Sequence, residues 1–349
     1  MKISINNRSI GLDYPPYIIA ELSANHNGSL ETAKKSIEIA SGCGVDAIKL
    51  QTYTADTMTL DCNHEDFMIK RGPWNGYKLF DLYQWAHTPF EWHKELFDYA
   101  RELGVTIFST PFDASAVDLL EKLNAPAYKI ASFEITDLPL IRYAAATGKP
   151  LIISTGMSSE GEIEEAVNAA RDSGCSQMIV LHCVSSYPTP LDQANLRMIP
   201  ELAKRFDVAT GLSDHTLGVT APLAAVALGA VVLEKHFTLS RASKGPDSEF
   251  SLEPSEFVQL CRETRDVWSA LGSPDYSRQI SEEENKLFRR SIYFVCDLPA
   301  GALIRPEDIR RIRPGFGLPP KYFDFLVGKR LKVAVTRGTA TSLEQIDGP

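Results

Sequence analysis

Short apolar runs rich in isoleucine and valine recur along the chain: residues 17–22 (YIIAEL), 46–52 (DAIKLQT), 105–110 (VTIFST), 127–132 (AYKIAS), 150–155 (PLIIST), 178–183 (MIVLHC), 207–213 (DVATGLS) and 231–238 (VVLEKHFT). Continuous apolar runs of this length predict strands buried on both faces. Between them lie stretches of helical period, among them LETAKKSIEIASG, DASAVDLLEKL, EGEIEEAVNAARDSG and GVTAPLAAVALGA. Several close on a glycine, the usual helix C-cap. Strands alternating with helices predict parallel strands joined by crossover helices. Eight such units within about 270 residues have the count and length of a (β/α)8 TIM barrel, an α/β fold. A doubly wound open sheet is disfavoured, because no glycine-rich dinucleotide turn follows the first strand.

Some segments stand outside this alternation. Residues 53–88, between Thr52 and Pro89, form a connection far longer than the other loops. Such loops tend to be lids or binding loops, and this one follows a strand, which places it on the active face of a barrel. Residues 1–13 read as a short hairpin covering the barrel floor. LEPSEFVQLCRETRDVWSALG reads as the closing helix. The predicted organisation is a catalytic barrel with its hairpin over residues 1–272, a polar linker over 273–290 and a small β-rich domain over 291–349. In that last segment short β-like runs are punctuated by proline and glycine. A unit that small has little core and is expected to dock on a larger surface.

The composition, 44% hydrophobic and 23% charged over 349 residues, is that of a globular chain. A formal net charge of −9 argues against a nucleic-acid or anionic-membrane partner. Any anionic ligand must therefore be held by a local cluster of cations. No apolar run approaches the roughly 20 residues of a membrane span, and the start carries no basic-then-apolar leader. Cys43, Cys62, Cys175, Cys183, Cys261 and Cys296 are spaced singly, as reduced thiols are. The expectation is a soluble cytoplasmic protein.

Polar residues that end buried strands carry the chemistry, since in a barrel they are expected to point at the active face. They are Glu21, Lys49 with Gln51, Ser109 with Thr110, Lys129 with Ser132, Ser154 with Thr155, His182 with Ser185, Ser213 with Asp214 and His215, and Glu234 with His236. Lysine is rarely buried without a partner. Lys49 and Lys129 therefore predict an anion over the barrel mouth, with serine hydroxyls around it, a phosphate or carboxylate site. A Schiff-base lysine is the rival reading. A single hydroxyl in this set reads equally well as a helix cap. His215 and His236 close neighbouring strands and can share a divalent ion with open coordination positions. Glu234, two residues before His236, shares its face and is a candidate acid/base group. His26 reads as a loop residue or a substrate contact; His64, His87 and His93 carry no comparable constellation.

The runs IIAELSANHNGS, KLQTY, FSTPFD, PAYKIASFE, KPLIISTGM, LHCVSSYPTP, GLSDHT, LEKHFT and KGPDSEFSLEP together resemble the sialic acid synthase family. Its members condense phosphoenolpyruvate with an N-acetylated amino sugar, forming a nonulosonic acid and releasing phosphate. RPGFGLPP and VGKRLKVAVTRGT resemble the antifreeze-like (SAF) domain that ends those enzymes. ELSANH, IKLQTYTADTMTL and LFDLYQWAHTPFEWH look most like the branch whose acceptor is 2,4-diacetamido-2,4,6-trideoxy-β-L-altropyranose and whose product is pseudaminic acid.

The resemblance implies that Lys49, Thr110, Lys129, Ser132, Ser154 and Ser213 grip phosphoenolpyruvate. It adds Ser185 with less force, since sialic-type members commonly carry asparagine there. It implies Mn2+ or Mg2+ on His215 and His236, with Glu21 or Glu234 transferring the proton. Glu21, Tyr187 and Asp247 face the acceptor, and Arg313 reaches its N-acetyl group from the partner in a domain-swapped homodimer. The alternatives are an N-acetylneuraminate or legionaminate synthase using an N-acetylmannosamine-type acceptor, a metal-dependent pyruvate aldolase, and a non-catalytic carbohydrate-binding protein.

Overall fold

Each predicted apolar run forms a strand. The computed structural model describes residues 3–72 and 74–348. Met1, Lys2, Pro73 and Pro349, which fall in the predicted hairpin, long loop and tail, lie outside the described residues. Strands β1 (Ile3–Ile5) and β2 (Arg8–Ile10) pair antiparallel as the predicted hairpin. They are followed by β3 (Tyr17–Glu21), β4 (Ala47–Thr52), β5 (Thr106–Pro111), β6 (Tyr128–Ile130), β7 (Leu151–Ser154), β8 (Met178–Cys183), β9 (Ala209–Asp214) and β10 (Val232–His236). These eight are parallel and closed, with β10 returning to β3 in a register that runs from Val232 opposite Tyr17 to His236 opposite Glu21. The (β/α)8 barrel is as the sequence predicts.

Alternation along each strand sorts side chains into two cores. Tyr17, Ile19, Phe108, Ile152, Ile179 and Val232 point inward and form one cluster with Ile3, Ile5 and Ile10 of the hairpin. The hairpin isoleucines thus close the barrel floor. The intervening residues, such as Ile18, Ile48, Ile107 and Val180, pack outward against the helices. Burying each such side chain contributes roughly 1.5–3 kcal/mol. In the helix Leu30–Gly42, Ala33, Ile37 and Ala40 recur on the buried face, and Ser29 caps the start by accepting from the Thr32 N–H at 3.2 Å. On β9 the inner position below Ser213 is Gly211. A Cβ there would lie 2.2 Å from the Val232 carbonyl oxygen, so the strands approach only without a side chain.

The long connection carries short helices over Ala55–Met58 and Leu79–Ala86. The helix Pro254–Leu271 is the predicted closing element. The chain divides into two compact units, Met1–Gly272 and Ser273–Pro349. In the second, β11 (Ser291–Phe294) pairs antiparallel with β12 (Ile309–Ile312) over a small core of Ile292, Phe294, Ile304, Ile309, Leu326 and Leu331. Residues 273–290 are almost wholly exposed, and their end is tied into this unit where the Gly315 N–H donates to the Leu287 carbonyl at 2.9 Å. Among the described residues no helix is long and apolar enough to cross a membrane.

Candidate active site

Parity along the strands brings Glu21, Lys49, Thr110, Lys129, Ser154, Ser213, Glu234 and His236 onto the inner face at the C-terminal ends. They line one cavity with Ser132, Tyr187 and His215. Lys49 Nζ lies 2.5 Å from Glu21 Oε2 and 3.7 Å from Glu234 Oε1, and donates to Thr110 Oγ1 at 3.1 Å. Lys129 Nζ lies 3.7 Å from the same Glu234 oxygen. Gln51 donates to Glu21 Oε1 at 2.9 Å, and Ser213 donates to Glu234 Oε1 at 3.3 Å. All four charged groups are almost fully buried. The lysines therefore do not stand alone awaiting an anion. Glu21 and Glu234 hold them in place, a partnership the apolar context of the strands does not announce.

The two carboxylates are driven apart. Burial pushes Glu21 above its ordinary value, against the pull of Lys49. Burial acts the same way on Glu234, but the ammoniums of Lys129 and Lys49 outweigh it and hold that carboxyl below the usual range. Lys129 is lowered by its burial, with Glu234 opposing. Ser154 Oγ and Glu234 Oε2 are buried and have no hydrogen-bond partner. Leaving such a group unsatisfied costs about 1–3 kcal/mol, so these atoms mark a place meant for a ligand. Ser132 Oγ accepts from the Gly156 N–H at 3.0 Å. A Cβ on Gly156 would sit 2.1 Å from Ser185 Oγ, so the glycine leaves room for both hydroxyls beside the cavity.

His215 and His236 come together at the seam of β9 and β10, their ring centroids 5.4 Å apart. The Phe250 ring packs edge-on against both. The Val184 carbonyl accepts from His215 Nδ1 at 3.1 Å; burial works against the charged ring, but Cys183 and this bond outweigh it and hold the imidazole above its ordinary value. His236 Nδ1 is buried without a partner, and burial together with His215 keeps that imidazole neutral, well below its ordinary value. A neutral His236 with one orphaned nitrogen, beside His215, suits a divalent ion. Among the described residues no three His, Cys, Asp or Glu side chains gather around a common point. An ion held by these two histidines would need its remaining ligands from water or substrate, as in an open catalytic site.

Beyond Gln51, Phe133, Tyr187 and His236 the cavity widens into an outer chamber of about 350 Å3. Its far wall is apolar and comes largely from the long connection, through Met58, Ile69, Trp74, Leu79 and Leu82. Trp74 Nε1 donates to the Pro246 carbonyl at 3.3 Å, which ties that connection to the loop after β10. Asp247 lines the chamber, accepts from Ser23 Oγ and is pushed up by burial. Tyr187 stacks at a tilt on His215, with centroids 4.5 Å apart.

Several strand-end residues do not reach the site. Ser109, Thr155, His182 and Asp214 sit on the outward parity: Ser109 bonds Thr52 Oγ1 at 2.6 Å, Thr155 donates to the Leu181 carbonyl at 3.1 Å, and His182 Nε2 bonds the Ala194 carbonyl at 2.8 Å. Each lies one position away from an inward residue of its own strand, Thr110, Ser154, Cys183 or Ser213, and so on the opposite face. His26 is buried against Trp92 and Thr88 as a loop anchor. Two residues that the sequence argument passes over belong to the site. Cys183 lines the inner cavity, 3.9 Å from His215 Nδ1; burial works against its ionisation, but His215 outweighs it and brings the thiol down to about 7. Its inward parity is the signal that finds it. Glu134 lines the outer chamber with Oε2 unpartnered, and burial pushes it up to about 7. It lies in the turn Ser132–Glu134, past the strand where parity has meaning. Arg313 lies in the second unit, exposed, and has no ion-pair or hydrogen-bond partner among the described residues.

The NeuB family matches residues 36–276, and the SAF domain matches residues 289–342. The chain is 43% identical over 328 residues to the pseudaminic acid synthase of Campylobacter jejuni, covering 94% of this chain and 96% of that one. It is 37% identical to the N,N'-diacetyllegionaminic acid synthase of the same species, over 89% and 94% of the two chains. The crystal structure of the N-acetylneuraminic acid (sialic acid) synthetase of Leptospira borgpetersenii superposes with a TM-score of 0.74 at 33% identity, covering 82% of this chain and 95% of that chain. With this barrel, this mouth and these matches, the chain belongs to the NeuB family of sialic acid synthases and carries a SAF domain after its barrel in the sequence.

Proposed function

We propose that the protein condenses phosphoenolpyruvate with 2,4-diacetamido-2,4,6-trideoxy-β-L-altropyranose and water, giving pseudaminic acid and phosphate. The observation that carries this reading is the pairing of two chambers. A polar inner cavity with two buried lysines and an orphaned Ser154 hydroxyl opens into an outer chamber walled by Met58, Ile69, Trp74 and Leu79. The inner cavity suits a compact anion with phosphate and carboxylate. The outer wall suits a sugar whose C6 is a methyl group, since a hydroxymethyl there would lose hydrogen bonds to water against an apolar surface.

Lys49 and Lys129 offset the phosphate and carboxylate charge of phosphoenolpyruvate, with Thr110, Ser132, Ser154, Ser185 and Ser213 supplying donors. The substrate's methylene carbon forms the new bond to the open-chain aldehyde carbon, water adds at C2, and the C2–O bond to phosphate breaks. Mn2+ or Mg2+ held by His215 and His236 supplies Lewis-acid polarisation of the aldehyde when bound. Glu21, raised by burial, is the proton donor toward the new hydroxyl. Glu234, held ionised by two lysines, is the acceptor for the proton of the adding water. Tyr187, Asp247 and Glu134 line the acceptor's side. The protein is cytoplasmic, and Arg313 of a second copy reaches the acceptor's N-acetyl group in a swapped homodimer, as the family resemblance implies.

The test is incubation with phosphoenolpyruvate, manganese and a panel of N-acetylated sugars, with phosphate release and product mass as readouts. The expected result is stoichiometric phosphate and the pseudaminic acid mass, with kcat/KM for the trideoxy acceptor orders of magnitude above that for N-acetylmannosamine. Equal or better use of N-acetylmannosamine overturns the acceptor assignment. Turnover of free pyruvate without phosphate release overturns the reaction.

A further inference from the structure

Asp214 and Lys235 are charged, almost wholly buried, and on the outward faces of β9 and β10. They form an ion pair and stand directly opposite each other in the ladder. That rung is the last between β9 and β10. The next residue on each strand is a histidine, His215 on one side and His236 on the other. Among the described residues, no backbone pairing beyond the Lys235–Asp214 rung holds these two histidines at a fixed separation.

The side chains of the pair take over where the ladder stops. Asp214 Oδ1 accepts from the Thr216 N–H at 2.9 Å, and Oδ2 accepts from Thr216 Oγ1 at 3.2 Å. The Lys235 ammonium donates both to Asp214 Oδ2 and to the Thr216 carbonyl. The backbone of His215 is therefore gripped on both flanks, at Asp214 and at Thr216, from the residue next to His236. His236 is held separately, opposite Glu21 on β3 and through its carbonyl, which accepts from the Leu252 N–H at 2.9 Å.

A buried ion pair is weak evidence for stability, because the desolvation of two charges offsets their attraction. An apolar pair of similar size would serve the packing as well. We propose that Asp214 and Lys235 are positioning residues that set the spacing and aim of His215 and His236 for a divalent cation. This inference rests on the proposed metal role of the two histidines. Outer residues that orient metal ligands typically account for 10–100-fold in metal affinity.

The experiment is titration calorimetry of the metal-free protein with manganese, alongside thermal melts and phosphoenolpyruvate binding. The wild type and His236→Ala test the metal reading itself: if manganese binding does not depend on His236, that reading falls and this inference falls with it. Given a His236-dependent site, the double variant D214N/K235M removes both charges together and leaves no buried charge stranded. It is expected to melt within a few degrees of wild type and bind phosphoenolpyruvate within twofold, while the manganese dissociation constant rises at least tenfold. D214N/K235Q, which keeps a donor toward Thr216, is expected to recover part of that loss. Wild-type manganese affinity in a folded D214N/K235M overturns the proposal. So does failure of both double variants to fold, since the pair then acts in stability.

Discussion

Lys49 and Glu21 face each other on one rung of the β3–β4 ladder, with the ammonium 2.5 Å from the carboxylate and both groups sealed from water. In the proposed reaction an incoming phosphate would compete with Glu21 for that ammonium. Because burial already raises Glu21, the carboxyl takes a proton rather than remain as a stranded charge.

The two members of this pair consequently have separable effects. Lys49→Met removes charge-assisted bonds worth about 1.5–3 kcal/mol each, so kcat/KM for phosphoenolpyruvate is expected to fall about 100-fold or more, mainly through KM. Glu21→Gln keeps the ammonium free and is expected to leave KM near wild type while kcat falls. Steady-state kinetics on the two variants check this. A KM effect from Glu21→Gln as large as that from Lys49→Met shows that Glu21 serves binding instead.

At the seam of the barrel the expectation concerns the metal. His236→Ala is expected to abolish turnover and leave the melt within a few degrees, since the ring lines a cavity instead of filling the core. Chelation of the wild type gives the same loss, and added manganese restores it. Full activity in an exhaustively chelated sample refutes a metal-dependent reaction.

The sequence carried the barrel because eight buried strands each read as a continuous apolar run, and a polar residue inside such a run is conspicuous. It carried the lysines and the histidine pair for the same reason. The choice between Ser109 and Thr110, or between His182 and Cys183, needs the parity of each strand, which only becomes definite once one inward residue is known. Glu134 was beyond this reasoning, because a turn has no period to read. The pairing of Lys49 with Glu234 depends on the closure that puts β10 beside β3, a contact between chain segments about two hundred residues apart.

Glu134 ties that missed residue to a measurable pH dependence. Burial raises its carboxyl from 4.5 to about 7, with Lys129 opposing. The folded chain therefore keeps a proton that the unfolded chain releases near 4.5, and stability falls as pH rises between those values. The loss is about 3 kcal/mol at most for a shift of this size. Glu134→Gln removes it. The variant is expected to match the wild type below pH 4.5 and to melt several degrees higher above pH 7. Parallel melting curves at every pH refute a buried, proton-holding Glu134.

Arg313 poses the question of which chain completes each site. Its turn is pinned, since the Pro314 carbonyl accepts from Ser291 Oγ at 2.7 Å and the Gly317 N–H donates to the same hydroxyl at 2.9 Å. On this rigid support the guanidinium is exposed and has no ion-pair or hydrogen-bond partner among the described residues, an arrangement suited to engaging something outside its own unit. In the proposed swapped homodimer it enters the partner's active site. Arg313→Ala and His236→Ala, each nearly inactive alone, are mixed in equal amounts and allowed to exchange subunits. Half of the dimers are then mixed, and in each of these one site carries both lesions and the other neither. About a quarter of wild-type activity is therefore expected to return. Native mass spectrometry verifies the exchange. If mixed dimers form and activity stays at the level of the separate variants, Arg313 acts within its own chain and the swapped arrangement is wrong.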